Sequence, residues 1–166
     1  MCEKEDAVAT GSLEQRLGDV LSRRGLTIAV AESCTGGLIS HRITNVPGAS
    51  RYFLIGTVAY SNEVKVERLA VDPALLDSVG AVSGDVALAM ARGVRTAGGS
   101  DIGVGVTGIA GPAGGTPEKP VGLVFIAAVT VEDERVERHV FAGDRAVVKR
   151  QTADAALALV LEVAQT

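Results

Sequence analysis

Apolar positions along the chain recur in two rhythms. Leu13, Leu17, Val20 and Leu21 fall at helical spacing behind Ser12-Leu13-Glu14-Gln15, which fits a capping box, and Gly25 follows as a helix stop. Thr27 to Ala31 is a short apolar run, as expected of a strand buried on both faces. Glu32 to Gly37 reads as a turn and Leu38 to Thr44 as the body of a helix, closed off by Pro47-Gly48. Phe53 to Tyr60 suits a strand, and Asn62 to Leu69 and Pro73 to Val79 read as short helices. Ser83 to Thr96 gives the clearest helix signal: Ser83 caps it, Val86, Met90, Gly93 and Val94 lie along one face, and Gly98-Gly99 stops it. Ile102 to Val106 is the next strand, and Thr107 to Pro120 a loop rich in Gly and Pro. Val121 to Val131 and Glu134 to Phe141 form a hairpin around Glu132-Asp133, before a long terminal helix over Asp144 to Ala164.

The element order is then roughly α-β-α-β-α-α-β-β-β-α. Alternation of this kind predicts an α/β layered fold, with a mixed, mostly parallel sheet covered by helices on both faces. Met1 to Gly11 reads as a flexible lead and residues 12–166 as one domain. At 166 residues and 47% apolar content, a compact chain buries roughly 70% of its extended surface and needs no disulfide or metal staple. The net charge of −4 argues against general binding to nucleic acid or anionic membranes. Aromatic residues make up 3% of the chain, so stacking platforms for bases are scarce. Two cysteines, Cys2 and Cys34, make neither a disulfide framework nor a CxxC site, and two histidines supply a zinc site poorly. No metal or other cofactor is expected. The opening MCEKEDAVATGS has no apolar signal core, and no run approaches the roughly 20 residues of a membrane span, so a cytoplasmic protein is expected.

Four segments carry candidate chemistry. In AESCTGGL, Ala31 to Leu38, a buried strand runs through a hydroxyl-rich Gly-Gly turn into a helix. A Ser at such a turn has helix-terminal N–H groups beside it and can act as a nucleophile. Capping of the helix by Ser33 or Thr35 accounts for the same residues, and Cys34 is a competing nucleophile. In VAYSNEVK, Tyr60 sits at a strand end and Lys65 in a first helical turn. A buried amine of lowered pKa can serve as a base, with Tyr60 relaying or positioning the proton; a surface Lys and an interfacial Tyr are the plain alternatives. The run Val106 to Gly122 holds five glycines and three prolines, more than a connection between strands requires. Such a loop can form an anion nest, with Lys119 either contacting a phosphate or solvating the loop. Finally, Arg145 follows the capping Asp144, a mismatch with the helix dipole that points to an anionic partner or to simple exposure.

In this order the segments resemble the C-terminal domain of the competence-damage-inducible CinA family. The resemblance rests on AESCTGGLIS, VPGASRYFLIGTVAYSNEVK, GAVSGDVALAMARGV, TGIAGPAGGTPEKPVGLVFIA and FAGDR, and runs from about Leu13 to Val163. That family includes stand-alone nicotinamide-nucleotide amidohydrolases, and its other, N-terminal module has no room here. The resemblance implies conversion of nicotinamide mononucleotide and water to nicotinate mononucleotide and ammonia, within pyridine nucleotide recycling. It places the catalytic serine at Ser33, the lysine at Lys65 and the tyrosine at Tyr60. It offers Thr35, Gly36, Asn62, Thr107, Gly108 and Arg145 as substrate contacts, with N–H groups near Thr35 to Gly37 holding the oxyanion. It also implies a small-molecule nucleotide substrate, no nucleic-acid or membrane partner, and a homo-oligomer. The rival expectations are a non-catalytic pyridine-nucleotide-binding module and a competence-related interaction domain.

Overall fold

The computed structural model describes residues 11–166. All of the expected lead except Gly11 lies outside the described residues. Helix α1, Leu13–Arg24, begins with the capping box in place: Ser12 accepts from the Gln15 amide and Gln15 answers to the Ser12 amide. It ends at Gly25, whose φ of 65° is left-handed. Strand β1 spans Ile28–Glu32, helix α2 Leu38–Thr44 and, after a 3-10 turn at Ala49–Arg51, strand β2 Phe53–Val58. Helices α3 (Asn62–Leu69), α4 (Pro73–Val79) and α5 (Gly84–Gly98) follow, then strands β3 (Ile102–Gly108), β4 (Leu123–Val129) and β5 (Glu134–Val140), and helix α6 (Arg145–Gln165).

The five strands are ordered β2-β1-β3-β4-β5. β1 runs parallel to both β2 and β3, while β4 is antiparallel to β3 and to β5. Only β4 therefore opposes the common direction, so the sheet is mixed yet mostly parallel. Two details depart from the expected pattern. Three helices separate β2 from β3, as the segment-by-segment reading has it and one more than the rough element order counts. And β3 extends through Thr107 and Gly108, residues assigned above to the loop, because they find partners in Phe125 and Val124 of β4.

Helices cover both faces. One core packs α1, α2 and α6 against Ile28, Val30, Val104, Val106 and Ile126. The other packs α3, α4 and α5 against Ala29 and Ala31. Strand β1 lies inside the sheet, between β2 and β3, and is buried along its whole length, which is why Ile28–Ala31 shows no alternation of apolar and polar residues. Helix α5 lies unusually close to β3. A Cβ on Gly103 would run into the Ala91 carbonyl, and one on Gly105 into the Ala87 carbonyl. The parallel trio β1, β2 and β3 thus sits under a tightly seated helix, and its carboxyl ends open on a single crevice, where ligands of open α/β sheets bind.

That seating is testable. Gly105→Ala should lower stability by about 1–3 kcal/mol, since neither backbone can yield without the other. A urea titration should show a lower midpoint with an unchanged slope.

Candidate active site

The crevice begins with a buried carboxylate. Glu32 ends β1 and is wholly inaccessible. Its carboxylate accepts from the Gly37 amide (3.0 Å), the Ile39 amide (3.1 Å), the Ser40 amide (2.8 Å) and the Ser40 hydroxyl (2.7 Å). These donors include the first amides of α2, which a helix cannot satisfy internally. Capping by Ser33 or Thr35, one of the two readings of this segment, is therefore not what the structure shows. Among the described residues the Ser33 hydroxyl has no hydrogen-bond partner, and the buried Thr35 hydroxyl has none either. Glu32 does the capping and leaves Ser33 free at the head of the turn. The turn closes through Gly36 and Gly37, with φ of 61° and 95°, a region that a side chain would strain.

Lys65 stands in α3, whose N-cap Ser61 accepts from the Val64 amide. It is not a surface lysine: the residue is 1% exposed. Its Nζ donates to the Ala59 carbonyl at 2.9 Å, with the Tyr60 and Ser61 carbonyls farther off at 3.4 and 3.5 Å. Among the described residues it has no carboxylate partner. Burial pulls its pKa below the ordinary lysine value, and the nearby Glu63 carboxylate only partly opposes that.

The Tyr60 side chain is 57% exposed, and its hydroxyl accepts from Arg145 Nη2 at 2.6 Å. Arg145 Nη1 donates to the Gly111 carbonyl at 2.9 Å, so the guanidinium braces the glycine-rich loop. Thr107 ties its hydroxyl to the Ala81 carbonyl at 2.8 Å. Lys119 neither faces the cavity nor floats in solvent. Its Nζ donates to the Val79 and Val82 carbonyls at 2.7 and 2.8 Å, pinning the far end of the loop to the α4–α5 connection.

These elements enclose a cavity of about 280 Å³. Ser33, Tyr60, Asn62, Lys65, Thr107, Gly108 and Arg145 all line it. Thr35 and Gly36 do not: Thr35 is buried behind the turn, and Gly36 lies on its exposed side. Cys34, the competing nucleophile of the sequence reading, lines it too, and so do Val82 and Gly111, which sequence reasoning did not select. Cys34 is 6% exposed, and burial pushes its thiol up to about 12. Among the lining residues two are basic and none is acidic, in a chain of net charge −4. A second hollow, about 330 Å³, lies at the other end of the sheet near Arg24, Asp101 and Arg135. There the charges are spent locally, Arg135 on Asp133 and Asp101 on Thr27. Among the described residues no group of three or more His, Cys, Asp or Glu could hold a metal ion, and no helix is long and apolar enough to cross a membrane.

Glu32→Gln should separate the roles of this turn. An amide nitrogen would face N–H donors that now meet a carboxylate, a loss of about 1.5–3 kcal/mol. The urea midpoint should fall, and any turnover that depends on Ser33 should fall with it.

Comparison with known proteins accords with this architecture. Residues 10–164 match the CinA C-terminal domain. A CinA-like protein of Citrifermentans bemidjiense is 55% identical over 145 residues, 87% of this chain and 35% of that protein. The chain thus spans about a third of the length of such curated relatives. A crystal structure of a competence-damaged protein (CinA) superfamily protein from Klebsiella pneumoniae superposes with a TM-score of 0.89 at 31% identity, covering 92% of this chain and 96% of that one. The competence/damage inducible protein CihA from Agrobacterium tumefaciens gives 0.88 at 34% identity, covering 96% and 99%. With its sequence matched almost end to end and its sheet and helices shared with these structures, the chain belongs to the CinA C-terminal domain family.

Proposed function

We propose that this domain hydrolyses the carboxamide of nicotinamide mononucleotide, giving nicotinate mononucleotide and ammonia, with Ser33 as nucleophile and Lys65 as base. The observation that carries the reading is the buried Lys65 amine. It shares a cavity with an unpartnered serine hydroxyl, its pKa is depressed by burial, and it has no carboxylate partner among the described residues. An amine left in that state serves poorly as a structural cation and well as a proton acceptor.

The shared cavity supports the following chemistry. Neutral Lys65 takes the Ser33 proton as Oγ attacks the amide carbon. Oxyanion donors come from the turn. The Gly36 amide is engaged by the Ser33 carbonyl and the Gly37 amide by Glu32. This leaves the Cys34 and Thr35 amides, which have no acceptor among the described residues. The donors are therefore shifted toward the nucleophile from the Thr35 to Gly37 stretch expected from the resemblance. Lys65 returns the proton to the departing nitrogen, ammonia leaves, and a water repeats the sequence on the acyl-enzyme. This is the Ser-Lys form of the triad logic. Tyr60 fits a positioning role at the rim better than a relay, because its hydroxyl is held by Arg145 and Lys65 meets only its carbonyl. Asn62 lines the same cavity and supplies an amide to a polar substrate.

Cys34 does not compete for the nucleophile's role. With its thiol pushed up to about 12 it stays protonated at neutral pH. Ser33→Ala should abolish ammonia release from the mononucleotide while preserving its binding, and Cys34→Ala should keep most activity. The reverse outcome overturns the assignment. Binding without ammonia release by the unaltered protein would instead identify a non-catalytic nucleotide module.

The base has its own signature. The active form of Lys65 is neutral, so the rate should rise with pH through the lowered lysine pKa and then level off. Lys65→Arg should lose activity as severely as Lys65→Ala, by about 10²–10⁴-fold, because a guanidinium keeps its proton in this range. Near-normal turnover by Lys65→Arg would reduce Lys65 to an electrostatic role.

A further inference from the structure

Ala81 and Val82 line the cavity together with Ser33 and Lys65, yet they belong to neither helix nor strand. They lie in the connection between α4 and α5, and among the described residues no backbone hydrogen bond reaches either of them. Side chains hold the connection instead. Lys119 Nζ donates to the Val79 carbonyl at 2.7 Å and to the Val82 carbonyl at 2.8 Å. The Ser83 hydroxyl donates to the Gly80 carbonyl at 3.2 Å, and the Thr107 hydroxyl to the Ala81 carbonyl at 2.8 Å. Four successive carbonyls thus depend on three side chains. The connection curls around the ammonium at Gly80, whose φ is 76° and where a Cβ would stand 3.2 Å from Lys119 Nζ. Lys119 comes from a stiff turn. Its amide donates to Thr116 Oγ1 at 3.0 Å, its carbonyl accepts from the Thr116 amide at 2.8 Å, and Pro117 and Pro120 restrict the backbone on either side. Residues 112–118 are exposed, and among the described residues the Lys119 ammonium makes the only hydrogen bonds from residues 112–119 to another part of the chain. Among the described residues no carboxylate pairs with it.

We infer that Lys119 is a positioning residue: it fixes the Ala81–Val82 wall and ties it to the glycine-rich loop, so that the two sides of the cavity keep one spacing. Gly111, Ala113 and Gly114 of that loop line the same cavity. The effect on turnover rests on the function proposed above; the tether itself does not. The side chains of Ala81 and Val82 offer a ligand no hydrogen bond, so what they contribute is shape, and shape depends on where the backbone is held. A misplacement of about 1 Å can cost on the order of 100-fold in rate. Lys119 suits the task because an ammonium donates to two carbonyls at once, and a charged donor makes bonds roughly twice as strong as a neutral one. Thr107 is the second tether to the same wall. Its hydroxyl proton goes to the Ala81 carbonyl, which leaves only its lone pairs for a ligand.

The test compares the full chain with Lys119→Met, which keeps the length of the side chain and removes the donor, and with Lys119→Arg, which restores one. Hydrogen exchange on the ligand-free protein reads the tether. In Lys119→Met the amides of Gly80 and Val86, bonded to the Leu76 carbonyl and the Ser83 hydroxyl, should exchange faster, while those of α6 keep their rates. An acceleration of about 10–100-fold is expected for loss of charge-assisted bonds. Steady-state kinetics reads the consequence. Lys119→Met should lower kcat/KM for the mononucleotide by about 10–100-fold, and Lys119→Arg should recover much of it. The rise of rate with pH belongs to Lys65 and should stay where it is, because Lys119 sets a spacing and not the base. Thr107→Val combined with Lys119→Met should lose less than the product of the two single losses, since both release one wall. Unchanged exchange in Lys119→Met, exchange accelerated throughout the chain, an unchanged kcat/KM, or fully multiplicative losses overturn the proposal. Faster exchange confined to residues 79–86 in a protein that releases no ammonia supports the tether and removes the amidase reaction instead, so the two readings fail separately.

Discussion

The burial of one carboxylate organises this molecule's chemistry. Glu32 sits at the end of the interior strand β1, out of reach of water, and an unpaired charge there would be very costly. Four donors, three of them backbone amides at the start of α2, satisfy it. The interaction serves both partners, since those amides also lack acceptors of their own. Its consequence lies between the two ends. The chain from Ser33 to Gly37 is clamped at β1 by the sheet and at α2 by the carboxylate. The Ser33 amide is held by the Val106 carbonyl, and the Glu32 carbonyl takes the Ala59 amide. The serine is thereby placed without spending its hydroxyl, and the adjoining amides of Cys34 and Thr35 remain open.

Lys65 shows the opposite economy. Its ammonium would be poorly served where it lies, with one close carbonyl and two distant ones, and burial lowers its pKa accordingly. The rest of the fold offsets this with apolar burial on both faces of the sheet. Acidic residues predominate in the chain as a whole, yet none lines the cavity. Local charge and net charge therefore have opposite signs, the arrangement that draws an anion to one place on an acidic protein.

Much of this was legible in order along the chain. The spacing of Leu13, Leu17, Val20 and Leu21 after Ser12 located α1 together with its cap, because helix periodicity and capping are local properties. The bounds of α2, α3 and α4 also came directly from their Gly, Ser, Asn and Pro punctuation. The site was recognised as a set of segments, AESCTGGL, YSNEVK, the glycine-rich run and GDR, and the structure gathers them at the carboxyl ends of three parallel strands.

What the sequence by itself determined, then, was the order of elements, the layered class and the residue types at the crevice, all of which depend on neighbours a few positions apart. The tertiary structure alone decided which charges are buried and which hydroxyls are free. Glu32 looked like part of a turn and proved to be the cap of α2, because its partners arrive only when the helix folds back over the strand. Lys65 could be read as a buried base or as a surface lysine in a first turn, and it is 1% exposed with its Nζ turned to the carbonyls of Ala59, Tyr60 and Ser61. Lys119 resembled a loop cation and is a strut to two carbonyls about 40 residues earlier in the chain. Burial and pairing of charge are set by residues distant in the chain, and no local pattern encodes that distance.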